Sequence, residues 1–460
     1  MIASPAHPIL DAWQTTVASR GGAPAIFSAD GGAERTFDDI EQEARAFQTM
    51  LEGLRRGAVV AVQLGNDPRF PALLLGLWRR GLIPAPLDRS LEKDGPTASL
   101  DVCCAAALIT LNADRAPVVV ERACDGGPDA DFLKLTSGTT SAPRAIRFRA
   151  AQLLADCDAV CDTMGIGADD LNYGVIPWSH SYGFSNLITP LLCRGVPVVA
   201  TEERLPRALL SGLASSGATV FPGLPVFFQK LADLDAAPLP RLRLCISAGA
   251  PLAKATADAF RAKFGVKIHS FYGSSECGGI AYDASDGAVG DGCVGEPMRG
   301  VRIAHDEATG RIEVRGAAVG EGYFPEPDEG VLGSGRFVPG DLVRKTPHGL
   351  VLAGRVSDFI NVAGRKLNPA EVEMRLRECP GVRDAVVFGV PSRLRGEEPV
   401  ACVVGDLAAA EVARFCHANL ADWQVPKDFW LVDALPINER GKLSRRALAD
   451  AWLSRTKLQE

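Results

Sequence analysis

The chain has 460 residues, with 49 Lys and Arg against 56 Asp and Glu and a formal net charge of −7. A composition that is 47% hydrophobic and 23% charged excludes a disordered or fibrous chain. The acidic balance argues against nucleic acid as the main partner, because phosphate binding needs a basic surface.

AVVAVQL at 58–64 reads as a buried strand, 67–80 as a helix and LIPAPL at 82–87 as the next strand. Similar strand-like runs stand at 117–121, 196–200, 218–223 and 242–249, with helical patterns between several of them. This alternation predicts α/β layers with largely parallel sheets. From about Gly287 glycines become dense and strands short, at 311–316 and 349–355, which predicts a β-rich subdomain. After Asp358 a smaller α+β unit follows, with a helix at 369–379, strands at 385–390 and 399–405, and a helix at 411–420. The expected organisation is a large N-terminal domain, 1–357, and a small C-terminal domain, 358–460.

No apolar run approaches the roughly 18 residues that a membrane helix needs, and no basic-then-apolar leader opens the chain. A cytoplasmic protein without a transmembrane segment is expected. Twelve cysteines include no CxxC and read as buried reduced thiols. Cys157 and Cys161 could share a helix face but lack nearby partners for a metal.

The stretch LKLTSGTTSAPRAIRF, 133–148, carries the strongest chemical signal. A strand-like LKL runs into Thr136, Ser137, Gly138, Thr139, Thr140 and Ser141, five hydroxyls around one glycine. Such a loop suits a polyphosphate, with backbone N–H groups as an anion nest and Arg144 at a reach that suits a phosphate oxygen. A bland Ser/Thr turn is the plainer reading. The GxxxxGK[ST] phosphate loop is absent. GDGCVG at 290–295 formally fits GxGxxG, but Glu296-Pro297 follows where a helix would have to start, so no dinucleotide site is expected.

TSGTTSAPRAI resembles the phosphate loop of the ATP-dependent adenylate-forming enzymes, the family of acyl- and aryl-CoA synthetases, nonribosomal peptide adenylation domains and firefly luciferase. Further segments resemble that family's motifs in the same order. PWSHSYGFSN (177–186) is similar to its aromatic/His segment, SAGAPL (247–252) to its adenine-pocket turn and FYGSSECGG (271–279) to its YGxTE motif. RIEVRG with Gly322-Tyr323 resembles GEL…GY, and FVPGDLV (337–343) resembles TGD. AGRVSDFINVAGRKLNPAEVE (353–373) resembles the hinge, and LPINERGKLSRRAL (435–448) the terminal PxxxxGKxxR. The resemblance runs from about Leu133 to Leu448. The chain departs from the pattern with Ser141 and Ala145 where glycines are usual, Arg144 for Lys, Ser275 for Thr, Ser270 where Asn or Asp often sits, and Asn361 for Lys.

The resemblance implies that Thr136, Ser137, Gly138, Thr139, Thr140 and Arg144 hold the phosphates of ATP. Gly249, Ala250, Pro251, Tyr272, Gly273 and Ser275 would surround the adenosine, with Tyr272 stacked on the base. Asp341 would accept the ribose hydroxyls, a geometry that needs a carboxylate, and Arg355 would assist at the ribose or phosphates. Glu276 would hold Mg²⁺ through oxygen. His180 would shape the wall between the acyl and phosphate sites. Lys442 would touch both the attacking carboxylate and an α-phosphate oxygen, relieving the repulsion between two anions. Plainer readings stand beside these. Glu276 could cap or form an ion pair, Tyr272 and His180 could be core residues, Asp341 a turn residue, Arg355 a surface ion pair and Lys442 a solvated lysine.

The implied reaction joins a carboxylate to MgATP, giving acyl-AMP and pyrophosphate. Residues 359–460 would then rotate about Asp358 for transfer to a thiol of coenzyme A or of a carrier protein's phosphopantetheine. HSYGFSN lacks the carboxylate with which amino-acid activators bind an α-ammonium. Trp178, Tyr182, Phe184, Leu224 and Phe227 make an apolar, aromatic acyl wall that suits a fatty or aryl acid, with a fatty acid favoured. An acyl-AMP ligase loading a separate carrier protein and a nucleotide- or acyl-binding protein with degraded catalysis are the alternatives.

Overall fold

The computed structural model describes residues 7–89, 97–124, 126–136, 144–235, 237–287, 292–392, 394–436 and 444–457. They form two compact units. The larger comprises Met1–Ala304, Glu313–Val338 and Pro347–Leu350, and the smaller His305–Ile312, Pro339–Thr346 and Val351–Glu460.

The main sheet of the larger unit places side by side Ala33–Thr36, Pro24–Phe27, Val198–Ala200, Asn172–Gly174, Val220–Gly223, Leu244–Ser247, Ile268–Ser274, Gly278–Tyr282 and Cys293–Pro297. From Pro24–Phe27 to Ile268–Ser274 every neighbouring pair is parallel. These strands read as continuous apolar runs because both faces are covered. Phe221, Phe228 and Phe260, for example, meet edge to face between a strand and the helices Pro225–Asp233 and Lys254–Phe264. The last two strands turn antiparallel because only short connections join them.

A second sheet holds Ile83–Pro86, Val59–Gln63, Ala105–Leu111 and Pro117–Glu121. Its first three strands are parallel and the fourth is antiparallel, since residues 112–116 are too few for a crossover. A third, fully antiparallel sheet joins Phe132–Leu135, Ala145–Phe148 and Gly322–Phe324. Leu133 and Ala145 share one apolar cluster with Val59, Ala61, Ala85 and Ala105, so the second sheet backs the hairpin that carries the hydroxyl-rich loop.

In the smaller unit the long hairpin Val382–Ser392/Gly396–Gly405 is flanked by Ile360–Val362 and Phe429–Val432. Alternate residues of one strand face opposite ways. Ala385 and Val387 pack with Val372, Leu376 and Val412 of the helices Pro369–Arg377 and Ala409–Asn419. Val386, Phe388 and Val390 pack with Leu448 and Trp452 of the helix Arg445–Lys457.

The expectation that all cysteines stay reduced needs correction. Cys104 and Cys124, with Cα atoms 5.9 Å apart, form a disulfide across the open end of the hairpin Ala105–Leu111/Pro117–Glu121. The pairing comes from strand register rather than sequence proximity. The other ten cysteines are free, and all but the half-buried Cys193 are buried. Among the described residues no helix is long and apolar enough to cross a membrane.

Candidate active site

Because the central strands are parallel and in register, their carboxyl ends finish along one edge. That edge receives the segment after Gly174, Leu224, the turn Gly249–Ala250–Pro251 and residues 275–277, and it is where open α/β sheets gather ligand-binding loops. Gly249 has φ +86°, and a Cβ there would stand 3.2 Å from Leu224 Cδ2. The turn therefore needs a glycine. Gly249, Ala250 and Pro251 are exposed, as is Gly273, whereas Tyr272 is buried in its strand.

The segment 177–186 is fixed largely by backbone contacts. His180 caps a short helical turn, its Nδ1 accepting from the Tyr182 amide at 3.2 Å, which leaves the neutral ring's proton on Nε2. Gly183 could carry no side chain, since a Cβ would lie 2.1 Å from Pro177 O. Ser181 Oγ donates to Ser275 Oγ at 2.9 Å, joining this segment to the turn before Glu276. Tyr182 donates to Ile246 O at 2.9 Å. Trp178 and Phe184 sit in the core, against Phe70 and Phe132 respectively, while Leu224 and Phe227 are half-buried. The five acyl-wall residues thus divide into two buried deep in the core, one held by its hydroxyl and two with accessible surface.

Asn66 was not among the expected site residues, yet it anchors this segment. Its Nδ2 donates to Gly174 O and Thr201 O at 2.8 Å and to Ile176 O at 3.2 Å, while Oδ1 accepts from the Trp178 amide at 2.9 Å. The only signal in the sequence is a polar residue directly after a buried strand, in QLGN.

The base of the hydroxyl-rich loop is closed by Thr136 and Arg144. Thr136 N donates to Arg144 O at 2.9 Å, and Arg144 N to Thr136 Oγ1 at 3.1 Å. Ser137, Gly138, Thr139, Thr140 and Ser141 lie outside the described residues, as does Lys442. Two residues before the loop, Lys134 is buried with its ammonium 4.7 Å from the centre of the Phe148 ring. Burial lowers its pKa, against the opposing pull of the Asp156 and Glu276 carboxylates.

Glu276 collects the remaining contacts. Tyr323 Oη donates to Oε1 at 3.0 Å, Ser274 Oγ donates to Oε2, and the Gly320 amide donates to Glu276 O at 2.8 Å. The Arg144 guanidinium lies over the Tyr323 ring, 3.6 Å from its centre. Burial and the neighbouring carboxylate push the Tyr323 phenol far up, so it stays protonated as a donor. No group of three or more His, Cys, Asp or Glu among the described residues could hold a metal alone. The carboxylate itself is surrounded by oxygen, from Tyr323 and Ser274, which fits a hard cation that brings phosphate and water ligands with it.

In the smaller unit Arg355 Nε donates to Asp341 Oδ1 at 2.6 Å; the Asp341 side chain is 13% exposed and that of Arg355 63%. Asp358 ends a 3-10 turn, Val356–Asp358, with Arg445 Nε 3.7 Å from its Oδ2. Arg445 also pairs with the buried Glu373 at 2.7 Å. Asn361 Oδ1 accepts from the Gly364 amide at 3.1 Å and supports a hairpin tip in which Ala363 and Gly364 both have positive φ. A lysine at position 361 could not accept that bond.

The model of the AMP-binding enzyme family matches residues 13–131 and 127–324, and that of the AMP-binding enzyme C-terminal domain matches 371–442. Probable CoA ligase CCL9 of Humulus lupulus is 28% identical over 88% of this chain and 89% of its own length. The naringenin synthase of Pestalotiopsis fici is 28% identical over 90% of this chain, which spans only 18% of that protein. ATP-bound MatB from Rhodopseudomonas palustris shares the fold, with a TM-score of 0.84 at 23% identity over 96% of this chain and 98% of that one.

Proposed function

The chain belongs to the AMP-binding enzyme family, and from that premise we propose that it activates a carboxylic acid with MgATP to acyl-AMP and passes the acyl group to the thiol of coenzyme A. The observation that carries this reading is the convergence on Glu276. A carboxylate with both oxygens oriented is joined through Tyr323 to the cation that closes the hydroxyl-rich loop. A polyphosphate bearing a hard cation needs those two features together.

Arg144 would turn N–H donors to a phosphate oxygen, and Glu276 would hold Mg²⁺, whose chemistry is to neutralise charge on the departing pyrophosphate. Tyr272 and the exposed turn 249–251 would take the adenine, and Asp341, with Arg355 beside it, the ribose. His180 would donate from Nε2 towards the reacting oxygens. Lys442 would supply the cation on the attacking side, where a carboxylate meets an α-phosphate and like charges must approach. Asp358 would be the pivot between adenylation and thioester formation.

The accessible Leu224 and Phe227 and the hydroxyl-bound Tyr182 support an apolar acyl site, for which we favour a fatty acid over an aryl acid. The relative named a CoA ligase supports coenzyme A as acceptor. Pyrophosphate release measured with MgATP across fatty and aryl acids tests the reading, followed by coenzyme A or a phosphopantetheinylated carrier protein. Silence with every acid would overturn it. Transfer to the carrier alone would replace coenzyme A as the acceptor.

A further inference from the structure

Arg144 stands where the resembling motif carries lysine, and the structure supplies a reason. Tyr323 lies on Gly322–Phe324, which pairs antiparallel with Ala145–Phe148 so that Tyr323 opposes Ile146 and Phe324 opposes Ala145. Arg144 is two residues from Ile146, so it is the diagonal neighbour of Tyr323 on the same face. A planar guanidinium can lie flat on the phenol ring and still present its N–H edges, whereas an ammonium meets the ring only as a point charge. The opposite end of the same side chain donates to Glu276 Oε1. The segment itself is strapped down, because Gly320 N donates to Glu276 O at 2.8 Å and Glu321 N to Arg147 O at 2.9 Å. Tyr323 is 6% exposed.

We propose that Tyr323 is a positioning residue for both charged ends of the phosphate site, its ring setting the Arg144 guanidinium and its hydroxyl setting the Glu276 carboxylate. With Tyr323 on Oε1 and Ser274 on Oε2, the carboxylate is held in one orientation and keeps further lone pairs for a cation, as outer partners do for metal ligands generally. The inference rests on the acid-activation reading only in taking MgATP as the ligand.

Binding separates the two halves. ATP is titrated calorimetrically into the full-length protein with Mg²⁺ varied and with EDTA, using Tyr323→Phe, Tyr323→Leu and Arg144→Lys. Tyr323→Phe keeps the ring and should bind ATP in EDTA like the parent. It should need about tenfold more Mg²⁺ for the same gain in affinity, the scale of one hydrogen bond to a charged group. With Arg144 in place, Tyr323→Leu should bind MgATP about tenfold more weakly than Tyr323→Phe, which has already lost the hydroxyl. In the Arg144→Lys background the same loss of the ring should cost clearly less, because an ammonium meets the ring only as a point charge and does not stack on it. An unshifted Mg²⁺ midpoint in Tyr323→Phe, or an equal step from Tyr323→Phe to Tyr323→Leu in both backgrounds, overturns the proposal. If the variants show these binding shifts yet the parent releases no pyrophosphate with any acid, the positioning role stands and the acid-activation reading falls.

Discussion

At Asp341 a carboxylate that is mostly buried meets an arginine that is mostly in water. A pair with one partner mostly in water contributes about 0–1 kcal/mol, so its loss should hardly change stability. Asp341→Ala should therefore keep the parent's melting temperature while losing ATP affinity, and equal affinity in the two proteins would refute a ribose-binding role. Lys442 presents a different argument, from charge at the reacting centre. Removing a contact made mainly in the transition state typically costs about 10²–10³ in rate. Lys442→Ala should lose pyrophosphate release on that scale while retaining thioester formation from supplied acyl-AMP, and near-parental release would sink the assignment. Both expectations come from short motifs whose chemistry dictates the residue type. No role for Asn66, Lys134 or Tyr323 is legible in the sequence. Each acts through partners far away in the chain, such as Thr201, Asp156 and Glu276, and no local pattern announces those meetings.

Among elements, the buried strands are the most legible, since apolar runs such as 58–64 and 218–223 are bounded by turn residues. Strand direction at 117–121 depends on the length of its connection, and the Cys104–Cys124 bond depends on that direction in turn. The helices Pro8–Arg20 and Phe37–Met50 went unassigned, although Thr36 and Asp39 make a reciprocal cap at the start of the second. Connections between elements also carry charge. Asp170 accepts from Arg243 through both oxygens, from the Gly167 amide and from Thr219. Burial alone would raise its pKa, but these donors outweigh burial and hold it below the ordinary 3.8. A pKa lower in the folded than in the unfolded state gives stability that is complete above the unfolded value and lost as pH falls through the folded one. Asp170→Asn should thus be less stable than the parent near neutral pH by about 2 kcal/mol, as for a hydrogen bond to a charged group. In urea unfolding the gap should close as pH drops below 3.8, and a gap independent of pH would contradict this account.

At the scale of the whole molecule, the two compact units are assembled from segments far apart in sequence, with 305–312 and 339–346 grouped with everything from 351 onward. Short strands that change units have no compositional mark, whereas the shift to an α+β pattern after Asp358 is visible directly. The proposed rotation about Asp358 would move a whole unit. Asp358→Pro fixes φ at the pivot, while Asp358→Ala removes only the carboxylate facing Arg445. The proline variant should impair pyrophosphate exchange and overall thioester formation unequally, and the alanine variant should not. Equal loss in both assays with proline would leave rotation unsupported.

The buried cysteines give the molecule a way of reporting on itself. Burial pushes the thiols of Cys103 and Cys402 up to about 11 and that of Cys416 up to about 12, and only a thiolate reaching solvent is alkylated. Cys379, Cys402 and Cys416 lie in the smaller unit, and Cys157, Cys161, Cys245 and Cys277 in the larger. A brief pulse of alkylating reagent read peptide by peptide would therefore record the opening of each unit separately, with the native chain as its own footprint.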